Sequence, residues 1–532
     1  MYQFNNLRII VVIGLGLLFG LVGQSCRESE LDVEPREEVP GNNQTDSTAQ
    51  PVAPWKTYRG FNISPTTDNE ILEELINKTG ANLIRLSFST MPMVHKTPPY
   101  DFNEEAFREL DRILDWCQSR DVRVLIDPHT TPGTRSNFTI FPDDEFWTNP
   151  TWYNHLIKLW VRIANDYKNE GDVIAGYDLL NEPAVPDTSI HGDQWNHLVK
   201  ILVDTIRSTG DLHTIVVEST GRMDGNRYIN RIDGIRDLKL PTDDNIVAST
   251  NFYEPFSFTH QGVDVSAPIG VTYPGQNEGE YWDENRLLAS MQPIRDFQKA
   301  HPNIPIFIGE LSCSRASGPA GDNYLRDLLN GFEKEGWSWA YHEFRGYSGW
   351  DAEMPYTEPA TNESVPRSYE ASRFVLLADF YARNNFSANE LMTTEVYRLT
   401  HPTQGDQLLT SSESEAGYAS SLFGYENDGV VFKAASAINR QLKPVYRLRH
   451  PVSNDRLFTV DKHERDSALA NLGYENEGNA FFVPLSAEGD YCPIFRLKKD
   501  GKHHYAVGER ERDEQVIEGW ELEDIIFYVK PL

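Results

Sequence analysis

Two short stretches of the chain each end in a glutamate that could take part in catalysis. Residues 177–183 have the sequence Tyr-Asp-Leu-Leu-Asn-Glu-Pro, and residues 304–310 have the sequence Ile-Pro-Ile-Phe-Ile-Gly-Glu. An apolar run of this length, bounded by turn residues, is typical of a buried parallel strand. The carboxyl ends of such strands meet on one rim of a barrel, so Glu182 and Glu310 are expected to lie together. Two carboxyl groups on one rim could cleave a glycosidic bond.

The segment that would position these glutamates alternates between strand-like and helical patterns. We predict strands over residues 58–62, 81–88, 122–127, 173–180, 213–218, 245–253, 304–310 and 337–344, with helices that include 103–119, 151–168, 194–208 and 283–300. Eight such repeats over residues 55–388 predict an α/β fold, the (β/α)8 TIM barrel. A doubly wound sheet is the alternative, but residues 59–62 do not form the glycine-rich phosphate turn that it would normally carry.

A set of polar residues follows the predicted strands in a fixed order. It comprises the Tyr-Arg-Gly-Phe-Asn block at 58–62, Arg85, His129, Asn181-Glu182-Pro183, Tyr253 and Glu310. This ordered set resembles glycoside hydrolase family 5, the cellulase A family, along the whole barrel. Residues 252–262 are also similar to a segment that is common among endoglucanases of that family.

The resemblance implies a retaining hydrolase with two catalytic glutamates. Glu310 would be the nucleophile and Glu182 the acid/base, with their carboxyl groups about 5 to 5.5 Å apart. Arg85 and the Tyr253 hydroxyl would favour the charged form of Glu310. The resemblance also implies that Asn181 contacts the sugar 2-hydroxyl and that His129 lines the same subsite. No metal or organic cofactor is required.

Two positions depart from the family pattern. Asn251 stands on the sixth strand where the family usually carries a histidine, and His342 stands on the eighth where it usually carries a tryptophan. That tryptophan normally forms the floor of the subsite where the bond is cut. We assign Asn251, His342 and the downstream Trp350 to substrate binding, with His342 or Trp350 as the replacement floor. Asn251 could equally be a neutral exchange.

Composition narrows the range of partners. The chain has 49 basic and 80 acidic residues and a formal net charge of -31. Such a charge repels phosphate backbones and anionic lipid heads, so we expect no nucleic-acid partner and favour a neutral glycan substrate. None of the four cysteines forms a Cys-x-x-Cys pair, which argues against a metal cluster and gives no indication of a disulfide framework.

The N-terminal residues resemble a bacterial lipoprotein signal. Arg8 precedes an apolar run that ends near Val22, and Cys26 follows shortly after. We predict a signal peptide over 1–25, lipidation of Cys26 and a flexible, polar linker over 26–54. An ordinary secretory signal is the alternative. The expected location is the bacterial cell envelope, on the outer membrane surface or in the periplasm, with membrane contact only through the lipid anchor.

The C-terminal segment repeats itself. Val396-Tyr397-Arg398-Leu399 recurs 49 residues later at 445–448, and a variant recurs at 494–497. Three copies of one unit predict an all-β repeat module over 394–532, with a β-trefoil-like fold as first choice and a three-bladed or sandwich arrangement behind it. Tyr425, Tyr474 and Trp520 occupy equivalent places, where they would either bind carbohydrate or form the core of each repeat.

Together these features predict a monomeric, retaining, endo-acting glycoside hydrolase for a β-linked polysaccharide of the β-1,4-glucan or mannan type. Two other classes remain open. One is a carbohydrate-binding lipoprotein with an inactive or exo-acting barrel, which the presence of both Glu182 and Glu310 disfavours. The other is a metal-dependent barrel hydrolase, which would need a strand-end His-x-His, whereas His129 stands alone.

Overall fold

The computed structural model describes residues 55–134, 146–147, 149–185, 193–224, 227–437, 439, 441–487 and 489–532. The predicted signal peptide, Cys26 and linker lie outside these residues. Eight parallel strands close into a barrel, and each pairs with its neighbours in chain order until the first meets the eighth. They are β1 Arg59–Ile63, β2 Leu83–Ser87, β3 Arg123–Asp127, β4 Ile174–Asp178, β5 Ile215–Glu218, β6 Ile246–Phe252, β7 Ile306–Leu311 and β8 Ser338–Tyr341. The predicted TIM barrel is confirmed.

Helices connect the strands and cover the outside of the barrel. They are α1 Asn69–Thr79, α2 Glu104–Gln118, α3 Pro150–Tyr167, α4 Gln194–Ser208, α5 Phe256–Thr259, α6 Glu284–Ser290, α7 Gln292–Ala300, α8 Pro319–Glu335, α9 Ser372–Ala382 and α10 Ala388–Leu391. The single helix predicted over 283–300 was wrong, because it divides at Met291. Pro293 lacks a backbone N–H and is tolerated only in the first turn of α7. Among the described helices, none is both long and apolar enough to cross a lipid bilayer.

Loops and short connecting elements complete the barrel domain. They comprise the strand pairs Arg222–Asp224 with Arg227–Ile229 and Gly275–Asn277 with Glu280–Trp282, and the 3-10 turns Gly171–Val173, Ile232–Asp237 and Arg315–Ser317.

The barrel interior is layered, and the layers separate the core from the candidate site. One cluster of buried apolar side chains fills the lower interior and includes Leu83, Leu125, Val216, Val247, Phe307 and Ala340. Side chains two residues further along a strand point to the same face. Those positions hold Arg85, Asp127, Glu218, Ser249, Gly309 and His342. The polar layer therefore lies on the apolar one, at the carboxyl ends of the strands.

The C-terminal segment contains three units, each with a three-stranded antiparallel sheet. The strands are β9 Thr394–Thr400, β10 Gln407–Thr410, β11 Glu426–Ala434, β12 Leu442–Arg449, β13 Arg456–Thr459, β14 Glu475–Pro484, β15 Cys492–Lys499, β16 Lys502–Val507 and β17 Glu521–Val529. The predicted β-sheets are present. Each unit also carries a helix that we did not predict, namely α11 Glu413–Phe423, α12 Lys462–Asn471 and α13 Gly508–Ile517. A β-trefoil is not confirmed, since the described strands form three separate sheets.

The recurring aromatic residues belong to the packing of the units. The Tyr425 hydroxyl donates to Asp406, and the Tyr474 hydroxyl donates to Asp455 over 2.6 Å. Tyr425, Tyr474 and Trp520 pack against the small apolar cluster of their own unit. Their half-buried rings favour the interpretation that they form the core of each repeat.

Charge pairs join the three units into a closed ring. An arginine on the first strand of each unit contacts a glutamate on the helix of the preceding unit, and the first unit contacts the third in the same way. The pairs are Arg447 with Glu415, Arg496 with Glu464, and Arg398 with Glu511. Because the glutamates lie in equivalent helices, the ring explains why the repeat contains a helix as well as strands.

We expect Arg496→Ala to lower the free energy of unfolding of this module by about 1 to 2 kcal/mol, because the charged hydrogen bonds to Glu464 are lost from a mostly buried arginine. Urea unfolding of the full chain measures the change. Arg510→Ala is the control, since Arg510 is 93% exposed and pairs only loosely with Glu514. Wild-type stability in Arg496→Ala would rule out a contribution from the ring.

Candidate active site

Glu310 lies at the end of β7, where the strand pairing shifts register between Ile308 and Leu311. Three side chains surround its carboxylate. Arg85 Nη1 lies 3.0 Å from Oε1, and the Tyr253 hydroxyl donates to Oε2 over 3.0 Å. His342 Nδ1 lies 3.6 Å from Oε2. The structure therefore brings the predicted residues Arg85 and Tyr253 to Glu310, and it adds His342 to the same carboxylate.

These neighbours decide the charge of Glu310. Burial acts to raise the pKa of Glu310, but the positive charges of His342, Arg85 and His129 and the Tyr253 hydrogen bond outweigh it and lower the pKa to about 2. Glu310 is consequently ionised at neutral and mildly acidic pH. An ionised carboxylate can attack an electrophilic carbon.

Glu182 follows β4 on the same rim of the barrel. Asn251 Nδ2 lies 3.4 Å from its Oε1 atom, a long hydrogen bond. The backbone of Glu182 has a φ of 46°, a conformation that is strained for a residue with a side chain. Such strain persists only where the surroundings hold it, and it is common at functional sites.

Arg85 is the centre of the polar layer. Its side chain is fully buried, contacts five polar side chains within 3.2 Å and lies 4.0 Å from a sixth, Glu218. The partners are Asp178 at 2.9 Å, Asn62 at 2.7 Å, Asn181 at 3.0 Å, Glu310 at 3.0 Å and Asp127 at 3.2 Å. Arg85 thus holds Asn181 and Glu310 in fixed positions relative to each other.

His129 is positioned by Asp127 and reaches Asn181. Its Nδ1 atom lies 2.8 Å from Asp127 Oδ2, and its Nε2 atom lies 3.4 Å from Asn181 Nδ2. Burial acts to lower the pKa of His129, but the Asp127 carboxylate outweighs burial and raises it. His129 can therefore carry part of the positive charge that faces Glu310.

Sequence reasoning missed three buried acids beneath the site: Asp127, Asp178 and Glu218. Burial and the charge of Asp178 raise the pKa of Glu218 well above its usual range, although Arg85 opposes them. Burial also raises the pKa of Asp178 to about 6, against the effect of Arg85. These two acids retain protons more readily than Glu310 does, so the charge of Arg85 is available to Glu310.

The aromatic residues near Glu310 differ in exposure. Trp350 is only 7% exposed, because its ring packs against Tyr253, His260 and His342. It supports these residues and presents little ring surface to a ligand. His342 is 20% exposed by side chain, and Tyr347, whose ring contacts Trp350, is 44% exposed. Of the two predicted floor residues, His342 is the one that the site exposes.

Removing the His342 imidazole should change how kcat/KM depends on pH. We expect His342→Ala to raise the pKa of Glu310, because the imidazole is one of the groups that lower it. The acidic limb of kcat/KM, which follows ionisation of Glu310, should move to higher pH. His463→Ala, at an exposed position on α12, is the control. An unchanged acidic limb in His342→Ala would contradict this assignment.

The ionised Glu310 should also contribute to stability. Its folded-state pKa of about 2 lies below the ordinary value of 4.5, so its contribution is complete above about pH 4.5 and is lost as the pH falls through about 2.

Within the described ranges, no group of three or more histidine, cysteine, aspartate or glutamate side chains could hold a metal ion.

Comparison with known protein families assigns both parts of the chain. Residues 45–348, more than half of the chain, match the family described as cellulase (glycosyl hydrolase family 5). Residues 395–530 match a family described as a domain of unknown function, DUF5648.

Individual relatives match the barrel. Endoglucanase C of Acetivibrio thermocellus is 31% identical over 232 residues, which are 42% of this chain and 64% of that protein. Cellodextrinase A of Ruminococcus flavefaciens is 29% identical over 178 residues, 32% of this chain and 49% of that protein. The chain therefore spans at most 64% of the length of these curated relatives. A solved structure of Thermotoga maritima Cel5A in complex with cellobiose is 22% identical and covers 60% of this chain and 97% of its own, with a TM-score of 0.47.

Proposed function

The chain belongs to glycosyl hydrolase family 5, the cellulase family, and on this premise we propose that it hydrolyses β-linked glucans with retention of anomeric configuration. One observation carries the proposal. Of the acids around Arg85, Glu310 has its pKa lowered to about 2, while the pKa values of Asp178 and Glu218 are raised. Glu310 is the carboxylate suited to act as a nucleophile, and Glu182 stands on the same rim.

The reaction would proceed in two displacements. In the first, a Glu310 carboxylate oxygen attacks the anomeric carbon while Glu182 gives its proton to the leaving glycosidic oxygen. The products of this step are a glycosyl ester on Glu310 and a free sugar hydroxyl. The charge of Glu310 is then gone, and Glu182 is ionised. In the second step Glu182 removes a proton from water, the water oxygen attacks the anomeric carbon, and the Glu310 carboxylate leaves.

Neighbouring side chains would bind the sugar that is attacked. The Asn181 amide lies between Arg85, which also contacts Glu310, and His129, a place suited to the 2-hydroxyl. His342 contacts the Glu310 carboxylate from the β8 side and would form the floor of this subsite, supported by the Trp350 ring. An imidazole offers less apolar surface than an indole. We therefore expect His342 to stack on the sugar face more weakly than the usual tryptophan would.

The relatives suggest which glycan to test first. Their names, Endoglucanase C and Cellodextrinase A, suggest glucans and cellodextrins as the first substrates to test with this chain. Mannan is the second candidate within the same class. We infer endo action from the endoglucanase relatives.

The decisive experiment combines a substrate panel with product stereochemistry. Purified protein is incubated with carboxymethylcellulose, mixed-linkage β-glucan, β-mannan, xylan and cello-oligosaccharides, and reducing ends and viscosity are measured. A rapid fall in viscosity with few new reducing ends supports endo action. Proton NMR of the first product should show the β-anomer. An initial α-anomer, or inactivity on the whole panel, would refute the proposal.

A lipid anchor at Cys26 is part of the same proposal. It would keep the barrel at a membrane surface of the cell envelope, with residues 26–54 as spacer. Mass spectrometry of the N-terminal peptide tests it: an acylated Cys26 supports the anchor, and cleavage at another residue without acylation refutes it.

A further inference from the structure

A large groove lies on the opposite side of the barrel from the candidate active site. Its volume is about 1190 Å³, and its lining includes residues 302–305 and 334–336 together with side chains of the first two C-terminal units. Residues 302–305 precede β7 and residues 334–336 precede β8, so the groove is at the amino ends of the strands. Glu182 and Glu310 are at the carboxyl ends. A ligand in the groove would therefore occupy a second site.

The lining of the groove is rich in basic side chains, although the protein as a whole is acidic. Lysine and arginine side chains are twice as numerous as carboxylates in its lining, whereas acidic residues predominate in the whole chain. Three of these cations, Lys299, Lys334 and Lys462, are exposed and make no ion pair with a described carboxylate. The charge of these three lysines is thus available to an anionic ligand.

Three arginines in the groove contact Glu477, and each of them also contacts a second carboxylate, namely Glu415, Glu475 or Asp406. The Nε atoms of Arg447, Arg449 and Arg456 lie 3.1, 3.2 and 3.5 Å from Glu477 oxygens. Arg447 Nε and Arg456 Nε are buried and make no well-aligned hydrogen bond within the described residues. A guanidinium pairs well with a planar carboxylate. These arginines are therefore already paired within the chain, and the exposed lysines are the cations that remain for a ligand.

Aromatic side chains in the groove suit sugar rings. Tyr418 and Phe423 on α11 line it and are 63% and 66% exposed. Exposed rings of this kind offer flat apolar faces, which the C–H faces of a pyranose can cover. The groove also has the volume of a site for several linked sugars.

We propose that this groove binds a neutral polysaccharide backbone bearing isolated carboxylate groups, such as a uronate-substituted hemicellulose. The aromatic rings bind the backbone, and the exposed lysines bind the acidic substituents. A densely charged polymer is disfavoured, because the chain as a whole has a net charge of -31 and would repel it. The site would hold the chain on such a polymer at a place remote from catalysis.

A matched pair of ligands tests the proposal. Binding of 4-O-methylglucuronoxylan and of the same polymer after reduction of its carboxyl groups is measured by affinity electrophoresis at low salt, with Glu310→Ala protein so that no polymer is cleaved. We expect the acidic polymer to bind about tenfold more tightly than the reduced one. The double variant Lys299→Glu/Lys462→Glu, made in that protein, should lose this preference. Equal binding of the two polymers, binding of neither, or equally tight binding of polygalacturonate would overturn the proposal.

Two controls separate this site from the barrel activity. Lys56→Glu/Lys158→Glu makes the same charge change at exposed lysines outside the groove and should leave the preference intact. In protein with Glu310 intact, Lys299→Glu/Lys462→Glu should hydrolyse soluble substrate with unchanged kcat/KM. If Lys299→Glu/Lys462→Glu loses the preference for the acidic polymer but keeps its hydrolytic activity, the result supports binding in the groove. If the unsubstituted chain is inactive on every substrate, the proposed hydrolase activity is refuted, and the binding result still stands. Retained preference in the groove variant would overturn the groove proposal.

Discussion

Glu310→Gln is expected to reduce kcat/KM on the preferred β-glucan by roughly 10⁴-fold or more, because an amide cannot form the glycosyl ester on which the first displacement depends. Glutamine keeps nearly the shape of glutamate, so Arg85 and Tyr253 retain a partner and the barrel should fold normally. Initial rates of reducing-end release measure the effect, with thermal unfolding as a check on folding.

The control for this substitution is a second glutamate close by. Glu343 Oε1 lies 3.9 Å from His342 Nε2, yet Glu343 has no contact with Arg85 in the described structure. We expect Glu343→Gln to retain activity within about threefold. Azide gives a second check, since it can occupy the space left in Glu310→Ala and attack the anomeric carbon itself. A glycosyl azide of inverted configuration supports a nucleophilic role, whereas substantial hydrolysis by Glu310→Gln would contradict it.

The barrel could be predicted from sequence because its strands are short, apolar and buried on both faces. The stretch at 174–178 stands out from the amphipathic helices on either side of it. The register shift before Glu310 could not be predicted, since it depends on pairing with β6 and β8 together. Gly309 helps to make room there, because a Cβ at that position would lie 3.1 Å from Asn251 Oδ1.

The polar layer beneath the site was predicted only in part. Arg85 was identified through the family resemblance, but alternation along the strands would also have placed Glu218 in the same layer, two residues beyond the inward-facing Val216. Alternation along the strands could not predict which of these acids is ionised. Burial and the distances to Arg85 differ from one carboxyl to the next, and these determine which of them keeps a proton.

The C-terminal helices were missed because their sequences carry little helical periodicity. Helix α13 buries no residue at all, and α11 and α12 bury only two each. Hydrophobic spacing therefore gave no signal. The glutamates at 415 and 464 are the informative feature, since they recur with the 49-residue period and pair with the recurring arginines.

Glu182→Gln is expected to separate proton donation from bond cleavage. With a polysaccharide, whose leaving alcohol needs a proton, kcat/KM should fall by about 10² to 10⁴-fold. With 2,4-dinitrophenyl β-cellobioside, whose leaving phenolate needs none, the first displacement should proceed nearly as in the wild type. The glycosyl ester would then accumulate, because the variant also lacks the base for the second displacement.

The ratio between the two substrates is the informative measurement. A burst of dinitrophenolate equal to the enzyme concentration, followed by a slow steady rate, is the result expected if Glu182 is the acid/base. Asn251→Ala is a matched comparison, because it removes a side chain that contacts Glu182 but leaves the carboxyl in place. It should slow both substrates by similar, smaller factors. Equal losses on both substrates in Glu182→Gln would mean that Glu182 only positions other groups, and proton donation would have to be assigned to another residue on the rim.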